Sequence, residues 1–328
     1  MNAISVLRYD MRAPSFGTPA GELYSTMLDQ AAWAEEHLPG VMIGLSEHHS
    51  SDDGYLPSPL TVAAAIAGRT SSIRMLVVAL IAPLYHPIRL AEDVAVLDLV
   101  SGGRVDLVLG AGYVPDEAPL YGFESTGRVA RLEEALRVLR AAWTGEPFEY
   151  KGNMVRVTPR PLRPNGPMLL LGGSTPAAAR RAARLADGFI PTDSPLYAIY
   201  EEECQKLGKF PIGMAHDNPP FVHVANDPEQ AWARLAPHAM HETNEYAKWE
   251  ATRPTKSFFQ HFDTADELRA AGKYLVLTPD ECIAYVRERG SMALQPLMGG
   301  LPTDLSWESL ELIANQVVPA LNEGVPSE

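Results

Sequence analysis

Apolar, β-branched runs alternate with helix-period segments from one end of this chain to the other, and this pattern constrains the fold most. Strands are expected over 4–8, 41–45, 75–81, 105–109, 168–171, 188–191, 221–224 and 293–297. Amphipathic helices are expected between them, over 21–37, 59–69, 88–100, 128–143, 176–185, 195–207, 228–249, 280–289 and 307–321. Such alternation means parallel strands joined by helical crossovers. Near-continuous apolar strands are expected when helices cover both sheet faces. Eight strand candidates in 328 residues fit one (β/α)8 barrel spanning 1–328 better than an open sheet. Helix starts have local support in Ser58-Pro59, Ser174-Thr175-Pro176 and Thr278-Pro279-Asp280-Glu281.

Two stretches depart from the pattern. Residues 145–167 are rich in Pro, Gly and basic residues and read as a hairpin excursion turning at Lys151-Gly152-Asn153. Residues 238–273 carry Tyr246, Trp249, Phe258, Phe259 and Phe262 and read as an insertion before the last strand, either a lid or a helix packed at an interface.

Charge narrows the function classes. The chain has 41 acidic and 27 basic residues, a formal net charge of −14. That argues against nucleic acid or an anionic membrane surface as partner, because both need a basic face. The longest apolar run, 75–84, falls short of the ~20 residues of a membrane helix, and the N-terminus lacks a leader pattern. A cytoplasmic setting is expected. Cys204 and Cys282 alone exclude a disulfide scaffold and a cysteine-only zinc site.

Active sites of parallel barrels form at the C-terminal ends of the strands. Gly172-Gly173-Ser174-Thr175 follows the fifth strand at a helix start, where free amides and the helix dipole favour a phosphate. The same residues also read as a capped helix after a tight turn. Glu47-His48-His49 follows the second strand. Adjacent histidines there point to different sides, and no third ligand is spaced for a metal, so no metal site is expected. One of them is a candidate general base, or a hydrogen-bonded structural residue. Gly110-Ala111-Gly112 after the fourth strand allows a flat group close to the backbone but lacks the third glycine of a dinucleotide fingerprint. Arg104 precedes that strand, at the barrel bottom, where position points to stability.

These segments, together with Pro57-Ser58-Pro59, the stretch from His86 to Asp93, Leu97 to Arg104, and Ala182 to Gly188, resemble the bacterial luciferase-like flavin-dependent oxidoreductases. Order and spacing carry the resemblance over 4–193 and again near 294–321. It implies a TIM barrel with a flavin at the strand C-termini. By the same resemblance, His48 is the base near the flavin. Val78-Ala79 takes the place of a bulge or cis peptide under the ring, beside Gly110, Ala111 and Gly112. Gly172, Gly173, Ser174 and Thr175 hold the phosphate with Arg128, and Tyr9, Glu47 and Tyr113 line the substrate pocket. An arginine common after the fourth strand in FMN members is Ala111 here. The resemblance implies reduced FMN and O2 acting on a small organic substrate, a separate flavin reductase and a homodimer. Hydride transfer with the deazaflavin F420, or flavin binding without catalysis, are the alternatives. Glu47-His48-His49 favours the FMN branch.

Overall fold

In a computed structural model, residues 4–213, 220–251 and 259–322 are described. The chain runs β1 (Ile4–Tyr9), α1 (Ala20–His37), β2 (Met42–Leu45), α2 (Pro59–Arg69), β3 (Arg74–Ile81), α3 (Pro87–Ser101) and β4 (Val105–Gly110). It continues through the short α4 (Glu117–Leu120), α5 (Arg128–Trp143), β5 (Phe148–Tyr150), β6 (Asn153–Val155), β7 (Leu169–Gly173), α6 (Pro176–Leu185) and β8 (Gly188–Pro191). Then come α7 (Pro195–Lys206), β9 (Phe221–Val224), α8 (Pro228–Glu250), α9 (Ala265–Ala270), β10 (Tyr274–Leu277), α10 (Pro279–Arg289) and β11 (Met292–Leu294). The chain ends in α11 (Thr303–Leu312) and α12 (Val318–Asn322), joined by one π-helical turn.

The main sheet is parallel, in the order β10-β9-β11-β1-β2-β3-β4-β7-β8. Strand order and direction are those of a (β/α)8 barrel, with β10 as an additional parallel strand on the edge of β9. No pairing joins β8 to β10 among the described residues. The strand 274–277 was not anticipated. About a third of the expected 238–273 insertion, residues 238–250, is α8, and 252–258 lie outside the described residues. The 145–167 excursion does contain an antiparallel pair, β5 and β6. The final helix begins at Thr303, earlier than expected.

Residues two apart along a strand share a face. Leu7 and Tyr9 turn toward the helix layer, where the Tyr9 hydroxyl donates to Gln30 Oε1 at 3.0 Å and Gln30 Nε2 to Ser306 Oγ at 2.7 Å. Arg8 therefore takes the other face. At the barrel bottom, Arg104 donates to Ser101, Ala67, Thr70 and Ile73 carbonyls, closing loop backbone that would otherwise lack partners. Arg163 bridges Asp98 and Asp106 on the same side. Thr278 and Glu281 form a reciprocal capping box on α10.

Candidate active site at the C-terminal mouth of the sheet

Three neighbouring strand ends form a floor of minimal side chains. A Cβ built on Gly110 would lie 3.2 Å from Ala79 Cβ. One on Gly172 would lie 3.3 Å from Val108 Cγ1 and 3.9 Å from Ala79 Cβ. A larger residue at either glycine would fill this space. The Val78–Ala79 peptide is cis, and the pairing of β3 with β4 shifts register there. Gly173 follows Gly172 at the end of β7, and Thr175 caps α6 by accepting the Ala178 amide at 3.2 Å. Part of the anticipated anion turn is thus a helix cap. Arg128 is exposed, and its Nη1 donates to the Ser125 carbonyl at 3.0 Å.

His48 stands beside this floor. Its Nδ1 lies 2.9 Å from Glu117 Oε1, an oxygen that also accepts the His49 amide at 3.0 Å. The carboxylate can only accept, so Nδ1 carries the proton and Nε2 keeps its lone pair. The Tyr113 hydroxyl approaches Nε2 at 3.4 Å. Burial lowers the His48 pKa from its ordinary value, against the pull of Glu117, so the imidazole is neutral near pH 7. The rings of Trp249, Tyr55, Tyr113 and Tyr246 surround it at centroid distances of 4.3, 4.9, 5.3 and 6.1 Å. Glu117 Oε2 is buried without a hydrogen-bond partner among the described residues, 3.9 Å from the Cβ position of Gly112.

His49 turns the other way, to Glu47 Oε1 at 3.3 Å and to the Tyr121 hydroxyl at 2.8 Å. Glu47 also accepts the Ile81 amide and the Tyr85 hydroxyl. Its oxygens are engaged by the protein. The Tyr9 hydroxyl is spent in the helix layer.

Beyond the aromatic rings lies a group of charges that the sequence reading missed. Arg8 Nη1 is 3.4 Å from Glu242 Oε1, and Arg8 also donates to Tyr246 and Ser46. Gln295 Nε2 bridges Asp10 and Glu242 at 2.8 and 2.7 Å. Tyr274 donates to Glu242 at 2.8 Å. Burial, with Asp10 nearby, raises the Glu242 carboxyl to about 7. Arg12 Nη1 pairs with Asp53, which also takes His241 Nε2 at 2.8 Å. The mouth therefore has ionic as well as aromatic walls. Arg8, Asp10 and Arg12 stand at the end of the first strand, where the sequence reading placed no charged group. Glu242, Tyr246 and Trp249 fall on one stripe of α8, at i, i+4 and i+7.

Among the described residues no group of three or more His, Cys, Asp or Glu is placed to hold a metal. No helix among them is long and apolar enough to cross a membrane.

The sequence pattern of a family described as luciferase-like monooxygenase matches residues 17–291. The chain is 28% identical over 333 residues to an F420-dependent glucose-6-phosphate dehydrogenase of Nakamurella multipartita, covering 95% of each. It is 29% identical over 327 residues to 4-hydroxyprotoasukamycin monooxygenase of Streptomyces nodosus subsp. asukaensis, covering 90% of this chain and 84% of the relative. The crystal structure of monooxygenase RslO1 from Streptomyces bottropensis shares the fold, with TM-score 0.78, 24% identity, and 97% and 99% of the two chains covered.

Proposed function

The chain belongs to the luciferase-like monooxygenase family, a family of TIM-barrel oxidoreductases, and on that premise we propose that it is a flavin-dependent monooxygenase using reduced FMN and O2 on a small organic substrate. The observation that carries this reading is the His48 imidazole, oriented by Glu117 and walled by four aromatic rings beside a glycine floor. An oxygenating site must keep water from a reactive centre, whereas hydride transfer asks chiefly for alignment.

The residues fit a flavin. Ala79, Gly110, Ala111, Gly112 and Gly172 would lie against its ring, because their small side chains leave the floor that a Cβ at Gly110 or Gly172 would fill. Gly173, Ser174 and Thr175 at the start of α6 would take the phosphate on backbone amides and hydroxyls. When bound, reduced FMN supplies the two electrons with which dioxygen is activated. The chain's own contribution is protonic and steric. His48 Nε2 accepts a proton from substrate or cofactor, Glu117 holds the ring in the tautomer that leaves Nε2 free, and Tyr113 stands at that nitrogen. Trp249, Tyr246 and Tyr55 exclude water. A separate reductase would deliver the reduced flavin, and the working form would be a homodimer.

Hydride transfer with F420 is the second reading. It is favoured by the F420-dependent relative and by Ala111, where FMN members commonly carry a phosphate-binding arginine. Anaerobic titration of ligand-free protein with FMN, reduced FMN and F420 separates the two. Selective binding of reduced FMN is the expected result. Selective binding of F420 would overturn the oxygenase reading.

A further inference from the structure

Arg12 is 0% exposed, yet only one of its three guanidinium nitrogens has a hydrogen-bond partner among the described residues. Nη1 is held by Asp53, which in turn accepts from Ser51 and His241. Nε and Nη2 are the orphans. The closest carboxylate to that edge, Asp10, has Oδ2 4.0 Å from Nε, beyond hydrogen-bond reach, and is already engaged by Gln295. Nε and Nη2 lie on one edge of the guanidinium and donate in parallel, which is the fork that a carboxylate or enolate matches with two oxygens. Leaving such donors buried and unpaired is costly, so the site calls for an acceptor.

Three rings enclose the same guanidinium: Tyr55 at 4.7 Å, Trp249 at 4.7 Å and Tyr246 at 5.0 Å to the ring centroids. Tyr55, Trp249 and Tyr246 also flank His48. Arg12 and His48 therefore share one aromatic box. The box favours flat, conjugated groups, which stack on rings, over flexible aliphatic ones. Arg8 and Arg12 face Asp10, Asp53 and Glu242, and burial raises the Glu242 carboxyl to about 7.

We propose that the Nε/Nη2 edge of Arg12 is the substrate anchor of this site, and that the substrate is a planar, conjugated molecule carrying a carboxylate or an enolate-like oxygen pair. This rests on the mouth being the reaction site, but not on which flavin serves it.

Benzoate is the probe, with benzamide as its neutral isostere, titrated into the flavin-loaded protein and into the ligand-free protein with Trp fluorescence as readout. Benzoate should bind at least about tenfold more tightly than benzamide, as expected for charge-assisted hydrogen bonds. Arg12→Lys keeps the charge but not the fork and should erase most of that preference. Because a buried arginine also supports folding, the wild-type protein gives an independent test: the Arg12 Nε–H proton resonance should shift on adding benzoate and stay put with benzamide. Equal affinities for the two probes, or an Nε–H signal indifferent to benzoate, would overturn the anchor. If F420 rather than FMN binds while benzoate still engages Arg12, the oxygenase reading fails and the anchor stands.

Discussion

Nδ1 of His48 faces a carboxylate and Nε2 faces a phenol, and this fixes what the imidazole can do at neutral pH. His48→Ala should lower flavin-dependent oxygen consumption by about a hundredfold or more, the range of a lost general base, with a much smaller change in flavin affinity. Glu117→Gln, which keeps the shape but not the charge, should cost less and shift the pH profile. Steady-state rates beside a flavin titration check this; equal losses in rate and affinity would make His48 a binding residue. The places of His48 and of the glycines at 110 and 172 were legible because each stands at or just past a strand end; their proposed roles rest on the resemblance. Glu117 and Arg12 were not legible. Each acts through a partner distant in sequence, and one chain read in order does not say which carboxylate meets which imidazole.

Helix α8 was expected over 228–249 and runs over Pro228–Glu250, but what its C-terminal half delivers was not legible. Of the aromatic residues that suggested an insertion, Tyr246 and Trp249 lie on this regular helix, which delivers them with Glu242 to the mouth. Pro237 lies inside it, a residue that normally argues for a break. Strand β10 went unread because a four-residue apolar run is ambiguous without its neighbours. In contrast, β1 to β4 were legible as long β-branched runs bounded by turns. The adjoining β9 supplies a stability test. His223 is buried with Nε2 unpartnered among the described residues, and burial, with Arg234 nearby, pulls its pKa down to about 4. An unfolded histidine takes its proton near 6.5. Between pH ~6.5 and ~4 the unfolded chain therefore binds more protons, and stability falls as the pH is lowered, by at most about 3 kcal/mol from this residue. His223→Leu should flatten the decline of the urea midpoint from pH 7 to 5. An unchanged decline would place the acid sensitivity elsewhere.

At the scale of the whole molecule, a parallel sheet wound by helices gathers residues from β1, β2, β3, β4, β7, α8 and the segment after β11 at one end. The opposite end is closed by Arg104 and Arg163 in contacts that serve only the fold. That polarity was legible in the alternation; the depth to which the mouth is lined with charge was not, since composition reports net charge and not its placement. The central claim is that this mouth holds reduced FMN and shields its reaction with oxygen from water. Rapid mixing of the protein-bound reduced flavin with O2, following release of hydrogen peroxide, tests that claim most directly. Release should be markedly slower than from free reduced FMN, and faster again in Trp249→Ala. Release from the wild type as fast as from the free flavin would contradict it.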